Sequence, residues 1–69
     1  MYKYIDTKSV FDSDGFLTDY TLYYSPYYDV WFCIFGDSDI YDVDIGYADA
    51  TFDSEEEAME WFESYEGIA

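Results

Sequence analysis

The chain has no Arg and no His, and its only cationic side chains are Lys3 and Lys8. Two lysines cannot neutralise a row of phosphates, so direct binding to DNA, RNA or an anionic membrane surface is disfavoured. The missing residue types also exclude Ser-His-Asp and Cys-His pairs, zinc sites built from His and Cys, and arginine clamps for phosphoryl transfer. We therefore expect a protein that is not an enzyme.

Cysteine and long apolar runs are also scarce. The single cysteine, Cys33, cannot form an intrachain disulfide, and it lies in the apolar run 30–35. A buried, inert thiol is the expected state. The chain has no 18-residue apolar stretch and no basic region followed by an apolar run, so neither a membrane span nor a signal peptide is predicted. These features favour a soluble protein of the cytoplasm.

Acidic and aromatic residues are abundant instead. Against the two Lys stand 17 Asp and Glu, which give a net charge of −15 in 69 residues. Yet 51% of the residues are hydrophobic and 26% are aromatic, which does not fit the low hydrophobicity typical of disordered chains. We therefore expect the chain to fold as one acidic domain over residues 1–69.

Two turn signals divide the first part of the chain into strands. Residues 2–5 predict a short strand, and Asp-Ser-Asp-Gly at 12–15 predicts a turn, because Asp and Ser bond nearby backbone while Gly allows a positive φ. Residues 17–24, rich in Thr, Tyr and Leu, predict a second strand. Pro26 ends it, so residues 24–29 should form a hairpin connection.

Two further strands are predicted after this hairpin. Residues 30–35 are apolar at every position, which indicates a core strand covered on both faces. Residues 36–39 have turn chemistry and should end it. Residues 40–47 then alternate and predict a strand with one core face and one charged face, the latter carrying Asp42 and Asp44. The core face of this strand consists of Tyr41, Val43, Ile45 and Tyr47.

The period of the sequence becomes helical after residue 52. Either Asp53 with Glu56 or Ser54 with Glu57 can form a capping box at the start of the helix, and Gly67 suits its end. The resulting fold class is α+β, with an antiparallel sheet of three or four strands and one C-terminal helix packed on one face. The apolar stripe that faces the sheet consists of Ala58, Trp61, Phe62 and Tyr65.

The acidic residues are spaced like phosphates. Asp42 and Asp44, two apart in an extended strand, would lie about 6.6–6.8 Å apart on one face, which is comparable to the interval between consecutive phosphates of a nucleic-acid strand. The helix adds acids about one 5.4 Å turn apart. Such rows would present a DNA-like potential to a basic groove. The predicted partner-binding acids are Asp37, Asp39, Asp42, Asp44, Asp49, Glu56, Glu60 and Glu63.

A solvated face is the plain alternative for any single carboxylate, since surface charge keeps a small aromatic-rich domain soluble. Solubility requires a net charge of only about 2–8 in magnitude, whereas −15 brings a self-repulsion that opposes the compact state. Glu56 and Glu60, like charges at i and i+4, should cost about a few tenths of a kcal/mol. The one-sided acidity therefore favours a role other than stability.

Aromatic residues near the second turn are further binding candidates. Tyr27 and Tyr28, next to Pro26, are predicted to be exposed contacts, because Tyr combines a large contact area with a polar tip. Trp31 and Trp61 are expected to anchor the core. Stacking on nucleic-acid bases is disfavoured because no cations accompany these rings.

Metal binding and carboxylate catalysis are disfavoured for the acidic residues. Residues 12–15 match part of a calcium-binding EF-hand loop, but the twelve-residue ligand pattern and its closing Glu do not follow. The paired carboxylates of a glycosidase need a cleft, for which 69 residues leave little room. We expect no specific metal site and no cofactor.

The segments 30–41 (VWFCIFGDSDIY) and 52–58 (FDSEEEA) look like those of small phage and mobile-element proteins. In size, acidity, aromatic content and α+β layout the chain resembles phage-encoded DNA-mimic inhibitors, most of all small anti-CRISPR proteins. The resemblance implies an inhibitor in the infected bacterial host that occupies the DNA-binding or PAM-recognition surface of a CRISPR effector such as the type I Cascade complex, with type I-C favoured. It is a similarity of type without a diagnostic motif, and it assigns no residue a role.

Two other functions fit the same composition. One is an acidic inhibitor of another basic host enzyme, namely a restriction enzyme, a DNA-repair glycosylase or a ribonuclease. The other is a solvated accessory domain with no partner at this surface. The expected oligomeric state is a monomer or, through exposed edge strands, a homodimer.

Overall fold

The computed structural model describes residues 2–36 and 44–67. Within these residues four strands form one antiparallel sheet in the order β1-β2-β3-β4, and one α-helix follows. This confirms the predicted α+β class. None of the described helices is both long and apolar enough to cross a membrane. The elements are β1 (Lys3–Phe11), β2 (Leu17–Ser25), β3 (Val30–Phe35), a 3-10 helix (Ile45–Tyr47), β4 (Ala50–Phe52) and α1 (Glu55–Ser64).

The first hairpin has the predicted turn but a longer first strand, since β1 extends well beyond residue 5. Asp12 accepts hydrogen bonds at Oδ1 from the backbone N–H groups of Asp14 and Phe16, both at 2.9 Å. Gly15 has a φ of 85°, which a residue without Cβ adopts at little cost. Local side-chain bonding therefore closes the turn between β1 and β2.

The second hairpin connects β2 and β3 as predicted. The buried Ser25 hydroxyl accepts from the backbone N–H of Tyr28 at 3.3 Å. Asp29 has a φ of 55°, a left-handed conformation that Asp tolerates better than most residues. The hydroxyl of Tyr24 donates to Asp29 Oδ1 at 2.6 Å, which holds this strained residue against the strand and raises the pKa of Tyr24.

The central strand β3 is covered on both sides of the sheet, as its apolar sequence predicts. On the side of α1, Cys33 packs in a buried cluster with Ala58 and Phe62. On the other side, Phe32 and Ile34 pack in a second cluster. The remaining buried members of the first cluster are Val10, Tyr20 and Leu22, and Tyr23 completes the second.

The prediction of a strand over residues 40–47 is wrong for its last three residues. Ile45–Tyr47 is a 3-10 helix, and Asp44 caps it by accepting from the backbone N–H of Gly46 at 3.1 Å. This local bond competes with strand pairing. Tyr47, predicted on the core face, is 74% exposed, while residues 40–43 lie outside the described residues. The fourth strand is instead Ala50–Phe52, which pairs with β3.

The helix begins at the second of the two predicted capping pairs. Ser54 is the N-cap, and its Oγ accepts from the backbone N–H of Glu57 at 3.2 Å. The predicted end is wrong, because Tyr65 already has an extended conformation and caps the helix. Gly67 instead forms a parallel bridge with Phe11, where its φ of 118° and the closeness of the Phe11 backbone leave no room for a Cβ. The apolar stripe is confirmed for Ala58 and Phe62, which are buried, and for Tyr65, which packs against the cluster. Trp61, expected to anchor the core, is instead 39% exposed, and its Nε1 donates to the hydroxyl of the buried Tyr20.

Lys8 binds the C-terminal end of the helix. From β1 its Nζ donates to the backbone carbonyls of Tyr65, Phe62 and Glu63 at 2.7, 3.0 and 3.3 Å. The ammonium group also lies 5.5 Å from the centre of the Phe62 ring. These carbonyls have no partner within the helix and carry its negative dipole end, so a cation there is stabilising. One of the two cations in the chain is thus committed to the fold.

We predict that Lys8→Met lowers the free energy of unfolding by about 2 kcal/mol or more, because several charge-assisted bonds to carbonyls are lost. Lys3→Met is the matched control: it removes the same charge from an exposed position and should change stability by less than about 0.5 kcal/mol. Urea unfolding followed by Trp fluorescence measures both. Equal losses in the two variants would show that net charge, not the cap, is responsible.

Candidate acidic interaction surface

Nearly all described acidic side chains face solvent. Asp37, Asp39 and Asp42 lie outside the described residues, which leaves 14 of the 17 acids, and every one of these except the half-buried Asp12 is exposed. Aromatic residues occur both in the buried interior, such as Tyr20 and Phe32, and on the surface, such as Phe16 and Tyr27. The predicted site residues must therefore be distinguished by their position on the fold, not by their exposure.

Three of the predicted partner-binding acids form a row on the outer face of α1. Glu56, Glu60 and Glu63 are exposed, and their positions around the helix are opposite to the buried Ala58 and Phe62. With a rise of 1.5 Å per residue, the row extends about 10 Å along the helix axis. We call these three residues the helix row. Because Ser54 caps one end of α1 and Lys8 the other, the spacing of the row is fixed by regular helix geometry.

Asp49 lies on the same side of the sheet as α1, where it is bonded to the core. The hydroxyl of Tyr20 donates to Asp49 Oδ2 at 3.1 Å and accepts from Trp61 Nε1 at 2.8 Å. Tyr20 is fully buried and stacks on Tyr65, with ring centroids 4.2 Å apart. Burial raises the pKa of the Tyr20 hydroxyl, so it remains a donor. Asp49 therefore has a structural role besides any contact with a partner.

Asp44 lies on the opposite side of the sheet. Its Oδ1 accepts from the Tyr2 hydroxyl at 3.4 Å, and the Tyr2 ring packs edge-on against Phe32 at 5.0 Å. The adjacent Ile45 packs against the same cluster. The structure therefore does not bring Asp44 and the helix row together. A single contact surface with both predicted rows, one around Asp44 and one on α1, is not present in the described residues.

The two predicted contact tyrosines lie at the β2–β3 turn. Tyr27 is 84% and Tyr28 58% exposed. Their rings are perpendicular, with centroids 4.7 Å apart, an arrangement that aromatic pairs favour. Both side chains are thus available for contact.

Among the described residues, no group of three or more His, Cys, Asp or Glu side chains is arranged to hold a metal ion.

Sequence reasoning missed the pairing of Tyr20 with Asp49 and Trp61, and the role of Lys8. The ring of Tyr20 packs in the core, but its hydroxyl partners are 29 and 41 residues away in the chain. The only available signal was that a buried Tyr hydroxyl needs a partner. For Lys8 the available signals were the scarcity of cations in the chain and the negative dipole end that the predicted helix would present at its C-terminus.

Comparison of the chain with protein-family models, with curated proteins and with solved structures finds no match. The chemistry of its surfaces is therefore the basis for a functional proposal.

The buried thiol of Cys33 predicts that the protein loses stability at high pH. Burial raises the pKa of Cys33 from 9.0 to about 11, so the folded state holds this proton more tightly than the unfolded state. The resulting stability is fully present below pH 9 and is lost as pH rises through about 11. The loss should reach about 2 kcal/mol.

Urea unfolding at a series of pH values from about 8 to 11 measures this loss. Cys33→Ala is the control for the thiol, because it has no group to titrate at this position and leaves the rest of the chain unchanged. Its stability should fall less steeply with pH than that of the parent chain. Parallel pH profiles for the two proteins would contradict the assignment to Cys33.

Proposed function

We propose that this protein is an anti-CRISPR-type inhibitor that acts as a DNA mimic. Its acidic surface would occupy the basic DNA- or PAM-binding surface of a CRISPR effector, with a type I Cascade complex as the first target, and would block target DNA. In this proposal it works stoichiometrically, without catalysis or cofactor, in the cytoplasm of an infected bacterial host.

The observation that carries the proposal is the helix row of Glu56, Glu60 and Glu63. The three carboxylates are exposed on one face of a helix whose two ends are capped. Lys and Arg side chains that bind phosphates are already placed to receive a regular line of negative charges. A rigid row therefore binds them without first ordering its own backbone, which lowers the entropic cost of association.

The use of the cations supports the same proposal. Lys8 donates to backbone carbonyls at the end of α1, so its charge offsets the helix dipole and is not placed among the glutamates of the helix row. The net charge of −15 then acts at long range on a basic partner. Such attraction raises association rates and weakens as salt screens it.

The resemblance to small acidic anti-CRISPR proteins suggests the class of target. A CRISPR effector holds nucleic acid in a positively charged channel and reads the PAM with cationic side chains. A protein with a phosphate-like row competes for such a channel without base recognition. The fold and charge suit this class, whereas the target itself comes from the resemblance alone.

The direct test is DNA binding by a purified type I Cascade complex, measured by fluorescence anisotropy of a labelled target duplex. Adding the protein at increasing concentration should abolish DNA capture, and the inhibition should weaken as salt rises. DNA capture that is unaffected at saturating protein would exclude this target.

The helix row is tested by the triple variant Glu56→Gln, Glu60→Gln and Glu63→Gln. At roughly 0.5 kcal/mol for each charged contact, inhibition should weaken by about tenfold. A matched control, Asp6→Asn, Asp29→Asn and Asp53→Asn, removes three exposed acids that lie outside α1. Circular dichroism checks that both variants remain folded. Equal weakening by the two triples would indicate that net charge, and not the row, determines inhibition.

A further inference from the structure

Three large apolar side chains are exposed together at the β1–β2 hairpin. Phe16 is 70%, Leu17 66% and Phe11 47% exposed. Phe11 and Leu17 are direct cross-strand partners in the sheet register, so their side chains are neighbours, and Phe16 immediately precedes Leu17 at the turn. We call these three residues the hairpin patch.

The hairpin patch faces away from the helix. Val10, the residue before Phe11, is buried in the cluster beneath α1, and successive side chains of a strand point to opposite faces. Phe11 and its partner Leu17 therefore lie on the other side of the sheet from the helix row. A partner that binds the patch need not be the one that contacts the helix row.

The exposure of these residues is not explained by the fold. Three side chains of this size expose on the order of 300 Å² of largely apolar surface, which is comparable to the largest apolar patch of a typical monomer, and such patches are often functional. Leu17 and Phe16 belong to no buried cluster among the described residues. The other large hydrophobic side chains that are exposed in the described part of the chain all carry a polar group on the ring, namely Tyr4, Tyr27, Tyr28, Tyr47 and Trp61.

Acidic side chains border the patch. Asp14 lies in the hairpin turn, and Asp19 lies two residues along β2 from Leu17 on the same face. Glu66 is adjacent to Phe11, because the backbone N–H of Phe11 donates to the backbone carbonyl of Glu66 at 3.3 Å. All three side chains are exposed. Two copies of the chain facing each other here would juxtapose these carboxylates, which disfavours a homodimer through the patch.

We propose that the hairpin patch is a docking site for a protein segment with an apolar centre bordered by Lys and Arg. The three apolar side chains supply the contact area, and the surrounding acids select a basic border. This site is separate from the helix row and does not depend on nucleic-acid mimicry.

The probe is a synthetic amphipathic peptide with Leu and Phe on one face and Lys at the edges of that face. Two control peptides have the same length: one replaces Leu and Phe by Ser and keeps Lys, and the other keeps Leu and Phe and replaces Lys by Glu. Binding is followed by 15N–1H NMR titration of the full chain at about 0.15 M salt, where distant charges are screened.

We expect chemical-shift changes concentrated at the amides of Phe11, Phe16 and Leu17, with both control peptides binding at least tenfold more weakly. The double variant Phe16→Ser, Leu17→Ser should lose at least tenfold in affinity for the first peptide. Tyr47→Ser is the matched control, since Tyr47 is similarly exposed at 74% but belongs to the 3-10 helix, and it should bind normally.

Three results would overturn the proposal. The first is shifts confined to α1 or spread evenly over the acidic surface. The second is equal binding of the peptide that lacks Leu and Phe, which would leave only charge attraction. The third is a concentration-dependent dimer of the protein that Leu17→Ser abolishes, which would make a second copy the occupant. Because the peptide controls use the unaltered chain, the test remains decisive even if the double variant fails to fold.

Discussion

The contact between Lys8 and the end of α1 is the constraint on which the arrangement of this protein depends. One ammonium group satisfies three backbone carbonyls of the helix end and bridges it to the edge strand β1. In a chain with two cations and 17 acids, general electrostatics opposes folding, because most pairs of charges repel. A cation placed at a helix C-terminus works against that repulsion where the local field is already negative. Among the acids that the structure describes, all but the half-buried Asp12 are exposed to solvent, where repulsion between them is weakest.

Tyr20 also fixes the helix relative to the sheet, from a position inside the core. Its ring fills the space between β2, β3 and α1, and its hydroxyl joins Trp61 of the helix to Asp49 beside β4. A buried hydroxyl without partners would be destabilising, whereas this one has both a donor and an acceptor. The three elements are therefore fixed relative to one another by polar bonds as well as by packing. This network fixes the orientation of α1 on the sheet. It therefore also fixes the orientation of the helix row, on which the proposed function depends.

Local chemistry explains which parts of the fold were predictable from sequence. The turns at Gly15 and Pro26 and the apolar strand β3 each depend on residues close together in the chain, and all three were predicted. The capping pair Ser54 with Glu57 is equally local and was one of two predicted alternatives. The 3-10 helix at residues 45–47 was not predicted, because alternation over 40–47 matches a strand until Asp44 bonds to Gly46. The end of the helix was also misplaced, since Lys8 and Phe11 act on it from more than 50 residues away. For the site, the helix glutamates followed from periodicity, but the separation of Asp44 from them depends on the three-dimensional path of the chain.

The division of the molecule into two sides limits what any single partner can contact. The helix row lies above the cluster that contains Phe62, whereas Asp44 and the hairpin patch lie on the other side of the sheet. A sheet and its helix layer are together thicker than the reach of a side chain, since packed layers are about 10 Å apart. A flat basic surface can therefore engage one side only. A partner that contacts both sides must wrap around an edge of the sheet. The inhibition proposed for the helix row and the docking proposed for the hairpin patch therefore require contacts on opposite sides of the sheet, and each can be tested without the other.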